Sequence, residues 1–302
     1  LITGSPCDAF GQFEFLEPGC LGHTTLRSFQ SRYCILRPMR IGPREILKEV
    51  GTQNLEELRD SIAQHSIRKR KEECLDLPPK VYERVEVELT DEQRDAYKEM
   101  KRSAMLAIQD REVTTTIVMT QLMRLHQIAI GHVRADDGSI LRLRSRRPDA
   151  LIEVIENSGD KKSIIWCNYR EDADAVCAAL TAKWGEGSWV RWTGAEGVEE
   201  RERGEAAFQQ DPEVRFMVAT QSAGGRGRTW TAATLVVYYS NSYDLELREQ
   251  SEDRAHRIGQ TGAVTYVDLI APGTVEEKIV KALRSKRDVA RAVQQDGVSS
   301  WI

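Results

Sequence analysis

The sequence is notable first for what it lacks. No uninterrupted apolar run approaches the ~18–20 residues of a membrane span, and no basic-then-apolar leader opens the chain. No membrane partner is therefore expected. There is no surplus of positive charge: 43 Lys+Arg stand against 47 Asp+Glu, a net charge of −4. A general basic coat for nucleic acid is excluded, so any DNA or RNA contact must come from local patches. The six cysteines (Cys7, Cys20, Cys34, Cys74, Cys167, Cys177) form no Cys-x-x-Cys pair, so they read as reduced, cytosolic thiols without metal spacing. His23, His65, His126 and His132 lack ligand spacing, and no Ser/His/Asp or Cys/His nucleophile arrangement is visible. No Gly-x-x-x-x-Gly-Lys-Ser/Thr phosphate loop occurs. The first residue is Leu1, not Met, which suggests a piece of something larger.

What is present is globular. With 302 residues, 40% hydrophobic and 30% charged, the composition fits about two domains. The first third is punctuated by Gly and Pro and predicts loops and short helices. A helical period follows over about Asn54–Glu73, stopped by Leu77-Pro78-Pro79. Val81, Val85, Val87 and Leu89 alternate with charged residues as in a half-exposed strand. Thr90-Asp91-Glu92-Gln93 offers capping chemistry for a long helix to about Arg111, and Thr116–Ile130 reads as another. Residues 134–147, with a turn at Asp136-Asp137-Gly138 and five arginines, predict a solvated linker. After Pro148, short apolar runs at Ser163–Cys167, Ser188–Trp192, Phe216–Thr220, Leu235–Tyr239 and Tyr266–Ile270 are separated mostly by helical segments. That alternation predicts βαβ units and a parallel sheet covered on both faces. Trp166, Trp184, Trp189, Trp192 and Trp230 fall on or beside these elements and read as core.

Two segments carry chemistry. In Gln250-Ser251-Glu252-Asp253-Arg254-Ala255-His256-Arg257-Ile258-Gly259-Gln260, a helix would place Gln250, Arg254 and Arg257 at i, i+4 and i+7 on one face. Two guanidinium forks one turn apart suit a polyanion such as a triphosphate in γ-phosphoryl transfer. A solvent-facing helix braced by Arg248/Glu252 and Asp253/Arg257 pairs remains an equal reading. The second segment, Thr220-Gln221-Ser222-Ala223-Gly224-Gly225-Arg226-Gly227-Arg228-Thr229, is a glycine-rich turn at a strand's C-terminal end. Backbone N–H groups can approach phosphates there, and ligands bind at that edge in open α/β sheets. A tight turn alone would also explain it.

Together the two segments resemble the last motifs of Swi/Snf-type helicase-like ATPases of superfamily two. Residues 250–260 are similar to that family's Gln-Ala-x-Asp-Arg-x-His-Arg-x-Gly-Gln run, with Ser251 in place of Ala. Residues 217–233 resemble the preceding motif, with Thr229-Trp230 where Asn-Leu is usual and with Arg226 and Arg228 at positions that are commonly apolar. Lys161–Leu180, Arg191–Phe208, Ile67–Lys80 (with Arg68-Lys69-Arg70-Lys71) and Leu1-Ile2-Thr3-Gly4-Ser5-Pro6 resemble further family segments, so the likeness covers most of residues 1–283.

The resemblance implies an α/β fold: a RecA-like parallel sheet sandwiched by helices, the helicase C-terminal lobe, preceded by a mainly helical region. It implies residues 1–77 as the end of lobe one with a helical protrusion, 78–147 as strand, protrusion and hinge, 148–285 as lobe two and 286–302 as a tail. Lys278–Arg291 reads as a basic amphipathic helix within that end. It implies an ATP-dependent double-stranded DNA translocase. Arg254 and Arg257 would be its arginine fingers, with Gln250, Gly225 and Gly227 near the nucleotide. Asn168, Arg170, Thr193, Thr220 and Arg226 would lie on the DNA backbone, without sequence specificity. ATP and Mg would be held mainly by an upstream RecA-like lobe, which would carry the Walker A loop. The piece is therefore expected to begin just before the motif that closes lobe one, and not to hydrolyse ATP alone. His256 would support the arginines and hold no metal. Another superfamily-two motor, such as an RNA unwinder, is less favoured by the Asp-Arg-x-His-Arg form of the last motif. A non-catalytic nucleic-acid module would not need both arginines. The compact inserts favour a bacterial or viral, cytoplasmic protein.

Overall fold

The computed structural model describes residues 5–41, 44–67, 69, 74–109, 115–135, 137–224, 227–242, 244–280 and 283. They form two compact units, one within Leu1–Cys74 and one spanning Leu75–Val280.

In the first unit, helices Cys7–Leu16, Leu26–Tyr33 and Leu55–Gln64 enclose a small core of Ala9, Leu21, Phe29, Tyr33, Leu55 and Leu58. Between the second and third helices runs an antiparallel pair, β1 (Cys34–Ile41) and β2 (Arg44–Thr52). The expectation of loops and short helices missed this pair. The two strands alternate poorly and β1 contains Pro38, which strand edges tolerate, so no clean period marks them.

The second unit is built on a six-stranded parallel sheet in the order β3-β10-β9-β6-β8-β7. The strands are β3 (Lys80–Glu86), β6 (Ser163–Cys167), β7 (Trp189–Trp192), β8 (Phe216–Thr220), β9 (Leu235–Tyr238) and β10 (Val264–Ile270). The apolar runs read from the sequence coincide with five of these to within two residues at each end. β6, β8 and β9 are buried along their whole length, as a sheet covered on both faces requires. Successive side chains alternate sides. Ile165, Cys167, Val218, Val237 and Leu269 join the Arg147–Asn157 and Arg170–Trp184 helices, while Ile164, Trp166, Met217, Val236 and Tyr266 join the opposite face. That opposite face is covered by the Val198–Gln210 and Leu245–Ala255 helices.

The two long helices, Asp91–Gln109 and Thr115–Ile130, pack beside this sheet unit. The first begins with a reciprocal cap. Thr90 Oγ1 accepts from Gln93 N at 3.3 Å, and Gln93 Oε1 accepts from Thr90 N at 3.2 Å. The stretch read as a solvated linker is instead folded. β4 (His132–Arg134) and β5 (Ile140–Arg142) form a hairpin, and Arg147 is fully buried. Arg147 donates to the carbonyls of Tyr239 (2.6 Å) and Leu269 (3.0 Å) and to Glu276 Oε2 (2.5 Å). A cluster of arginines looks solvated in one dimension; the carbonyls at two strand ends and the buried carboxylate that neutralise one of them come from far along the chain.

Candidate nucleotide and nucleic-acid site

The Leu245–Ala255 helix starts at an Asp244 cap, whose carboxylate accepts from Leu247 N at 3.0 Å. It is anchored across the sheet by Arg248, which grips Asp268 with both terminal nitrogens (2.5 and 3.2 Å) and Glu252 with Nε (3.0 Å). Burial works against the Arg248 charge, but Tyr238, Asp268 and Glu252 outweigh it and raise its pKa. Ser251, where the family has Ala, is fully buried and satisfied by the Tyr238 hydroxyl (2.8 Å) and the Arg248 carbonyl (2.7 Å).

The helix ends at Ala255, so Arg257 lies beyond it and not on a common helical face with Gln250 and Arg254. The residues nevertheless converge. Arg254 donates through Nη1 to the Arg228 carbonyl (2.5 Å) and through Nε to the Gln250 carbonyl (2.9 Å). Arg257, exposed, reaches the same Arg228 carbonyl through Nη1 at 3.4 Å. Burial first, and the Arg257 charge second, pull the Arg254 pKa below its ordinary value. Among the described residues neither guanidinium pairs with a carboxylate; Asp253 lies instead 3.8 Å from Lys80. Gln250 donates to Glu246 (2.6 Å), and its Oε1 is buried without a partner.

Sequence reasoning missed the residues that hold this cluster. Gln260 donates to the carbonyls of Thr231, Ala233 and Ala255 (3.2, 2.8 and 3.0 Å) and accepts from the N–H groups of Thr261 and Gly262. Its place in the motif was the available signal. Arg228 contributes its carbonyl, while its side chain turns to Glu205 (3.1 Å) and over the Trp192 ring. Trp230, where the family has Leu, is fully buried, stacks on Trp166 at 5.5 Å and donates to Glu205 at 3.0 Å. Gly224 is the residue that permits this: a Cβ there would sit 2.8 Å from Trp230 and 2.9 Å from Trp166. Gly227 is exposed at φ +74° with open space around it, a left-handed turn position. Gly225 and Arg226 lie outside the described residues, as do Leu1–Gly4, Arg68, Arg70, Lys71 and the tail 286–302.

The other predicted residues line the C-terminal edge of the sheet. Asn168 and Arg170 follow β6, Thr193 follows β7 and Thr220 ends β8. Strand order reverses about β6, the position where open α/β sheets bind ligands. The Asn168 N–H donates to Ser240 Oγ (2.7 Å), which donates to Asp172 Oδ2 (2.5 Å), so the ends of β6 and β9 are tied together. Arg170 is exposed at the start of its helix. Thr193 is buried and donates its hydroxyl to Glu196 (2.7 Å). No hydrogen bond or ion pair joins this edge group to the Arg254–Arg257 cluster among the described residues. His256 donates through Nε2–H to the Pro78 carbonyl (2.8 Å).

A six-stranded parallel sheet flanked by helices is the architecture of the helicase-like ATPase cores that this chain resembles. The helicase conserved C-terminal domain family matches residues 146–259, and the SNF2-related domain family matches residues 1–131. The chain belongs to the SNF2-type helicase-like ATPases. Similar relatives include the Bos taurus DNA annealing helicase and endonuclease ZRANB3, 28% identical over 96% of this chain and 26% of its own. The Aspergillus oryzae chromatin-remodeling ATPase INO80 is 38% identical over 55% of this chain and 11% of its own. Among solved structures, the Sulfolobus solfataricus SWI2/SNF2 ATPase core in complex with double-stranded DNA matches with a TM-score of 0.58. It is 26% identical and covers 96% of this chain and 60% of its own. The chain thus spans about a quarter of the length of the full-span curated relative.

Proposed function

We propose that this chain supplies the closing half of an ATP-dependent double-stranded DNA translocase. Arg254 and Arg257 act as arginine fingers, and the sheet edge at Asn168, Arg170, Thr193 and Thr220 rests on DNA phosphates, as does the Arg226 side chain. The observation that carries the reading is the pair of guanidinium groups meeting on one backbone carbonyl with no carboxylate in ion-pair contact among the described residues. A buried cation is ordinarily matched by an anion of the fold, as Arg147 and Arg248 are. Two guanidinium groups without a carboxylate partner among the described residues fit an anion that arrives from outside. ATP bound with Mg supplies the γ-phosphoryl group and its charge. This chain's part is to meet that charge with two forks and, through Gln250, Gly225 and the turn at Gly227, to orient them. The DNA-bound archaeal core supports the duplex as partner. Contacts confined to phosphates would give little sequence preference.

No phosphate loop occurs in the sequence, so a second lobe must bring it. The 302-residue chain alone should show no ATP hydrolysis above background with any nucleic acid; turnover that survives repurification would contradict that division of labour. In a protein that joins this chain to a phosphate-loop lobe, Arg257→Ala should lower DNA-stimulated hydrolysis by about 10³-fold or more and leave ATP binding largely intact. Near-normal turnover would remove the finger assignment.

A further inference from the structure

The first unit brings together two cysteines that are 27 residues apart in sequence. Cys7 opens the Cys7–Leu16 helix and Cys34 opens β1, and their Sγ atoms lie 3.3 Å apart. Glu49 Oε2 lies 3.9 Å from Cys7 Sγ, and the three donor atoms all fall within 4.8 Å of one another. Cys34 is buried and the other two are half-buried.

A β-bulge puts the carboxylate there. Cys34 pairs with Thr52 and Ile35 with Gly51, but Leu36 pairs with Glu49, so Val50 is an extra residue on β2. Side chains alternate along a strand, and Leu36 shares a face with Cys34. Without the insertion Val50 would oppose Leu36 and Glu49 would fall on the other face. Ser5 fixes both neighbours. Its hydroxyl donates to Glu49 Oε2 at 2.6 Å and accepts from the Cys7 N–H at 3.1 Å. Such outer partners orient ligands at metal sites.

Left to themselves these groups oppose one another. Burial first, and then the Cys7 thiol and Glu49, push the Cys34 pKa well up, so the thiol stays protonated. A divalent cation reverses each of those penalties, since its charge favours every deprotonated donor. Two sulfurs and a carboxylate oxygen suit zinc, for which tetrahedral bonds of 2.3 Å place two thiolates about 3.8 Å apart. The observed separation needs to open by about half an ångström to match.

We propose that Cys7, Cys34 and Glu49 form a Zn2+ site, with a water in the fourth position, that clasps the start of the Cys7–Leu16 helix to the β1–β2 hairpin. On binding, the two thiols lose their protons to solvent and no electrons are exchanged. The test is titration of the reduced, chelator-stripped 302-residue protein with Co2+ and then Zn2+. One equivalent of Co2+ should bind with a thiolate-to-cobalt charge-transfer band, be displaced by Zn2+ and release about two protons per ion. Cys34→Ser should abolish the band. Glu49→Gln should keep it and weaken affinity by about 10-fold or more. Cys20→Ser should change nothing. Zn2+ should raise the melting temperature of the parent chain but not of Cys34→Ser. Absence of the band in the reduced parent, or its persistence in the Cys7→Ser/Cys34→Ser double variant, would overturn the site. Formation of a Cys7–Cys34 disulfide with oxidised glutathione, in a chain whose reduced form binds no metal, would equally overturn it.

Discussion

Two pairs of arginines in the sheet unit differ in what their guanidinium groups meet. Arg147 and Arg248 are closed: each meets carboxylates of the fold, Glu276 for one and Asp268 with Glu252 for the other. Arg254 and its exposed neighbour Arg257 are open, sharing only the Arg228 carbonyl. The closed pair fixes architecture, because Arg147 ties the ends of β9 and β10 and Arg248 ties a helix to β10. The second pair meets no carboxylate among the described residues. On the proposed function, that difference would separate guanidinium groups that hold the fold from those that meet a ligand.

The largest break in that comparison is expected at Arg257. Its loss in the joined motor should remove about 4–7 kcal/mol of transition-state stabilisation while changing unfolding free energy by no more than about 0.5 kcal/mol, the usual range for an exposed position. ATPase rates and denaturant melts on one sample would show the split, and equal losses in both would erase the distinction. Next comes Arg147→Ala, which strands Glu276 in the core. Breaking a buried pair from one side should cost about 3–5 kcal/mol. A Glu276→Gln/Arg147→Met double variant should recover much of that in urea melts, since the stranded charge is gone.

A smaller effect tests the carboxylate behind Asn168. Asp172 is fully buried, and burial pushes its carboxyl up to about 7 despite bonds from Ser240 and Tyr169. The folded chain therefore keeps a proton that the unfolded chain releases, and stability declines as pH rises from about 4 to 7. His132, whose Nδ1 lies 3.3 Å from Asp172 Oδ1, is lowered by burial to about 4. It contributes the opposite slope between about pH 4 and 6.5. The parent should melt at nearly constant temperature across that window, whereas Asp172→Asn should gain stability as pH rises. Parallel profiles would mean Asp172 ionises as an ordinary carboxyl. The smallest effect is expected at the sheet edge: Arg170→Ala should weaken DNA binding evenly across sequences and reduce the salt slope by about one. A sequence-dependent loss would point to base contacts.

The central strands were legible because each is a short apolar run buried on both faces, and the Thr90–Gln93 cap because its partners are local. The arginines of residues 250–260 stood out through motif spacing, although Arg257 sits past the helix end. What was not legible depends on distant partners. The β1–β2 and β4–β5 pairs gain their hydrogen bonds only when the strands meet. Arg147 reads as solvated until Tyr239, Leu269 and Glu276 surround it. Gly224 reads as one residue of a glycine-rich turn, yet its missing side chain makes room for Trp166 and Trp230.

Gln260 gives the open arginines a mechanical setting. One amide group spans the segment at 231–233, the end of the Leu245–Ala255 helix and its own following turn, while Trp230 N donates to the Arg254 carbonyl at 2.8 Å. Shear between the Arg228 segment and the Arg257 turn would have to break several bonds at once. The two segments are therefore cross-linked to each other directly ahead of β9 and β10.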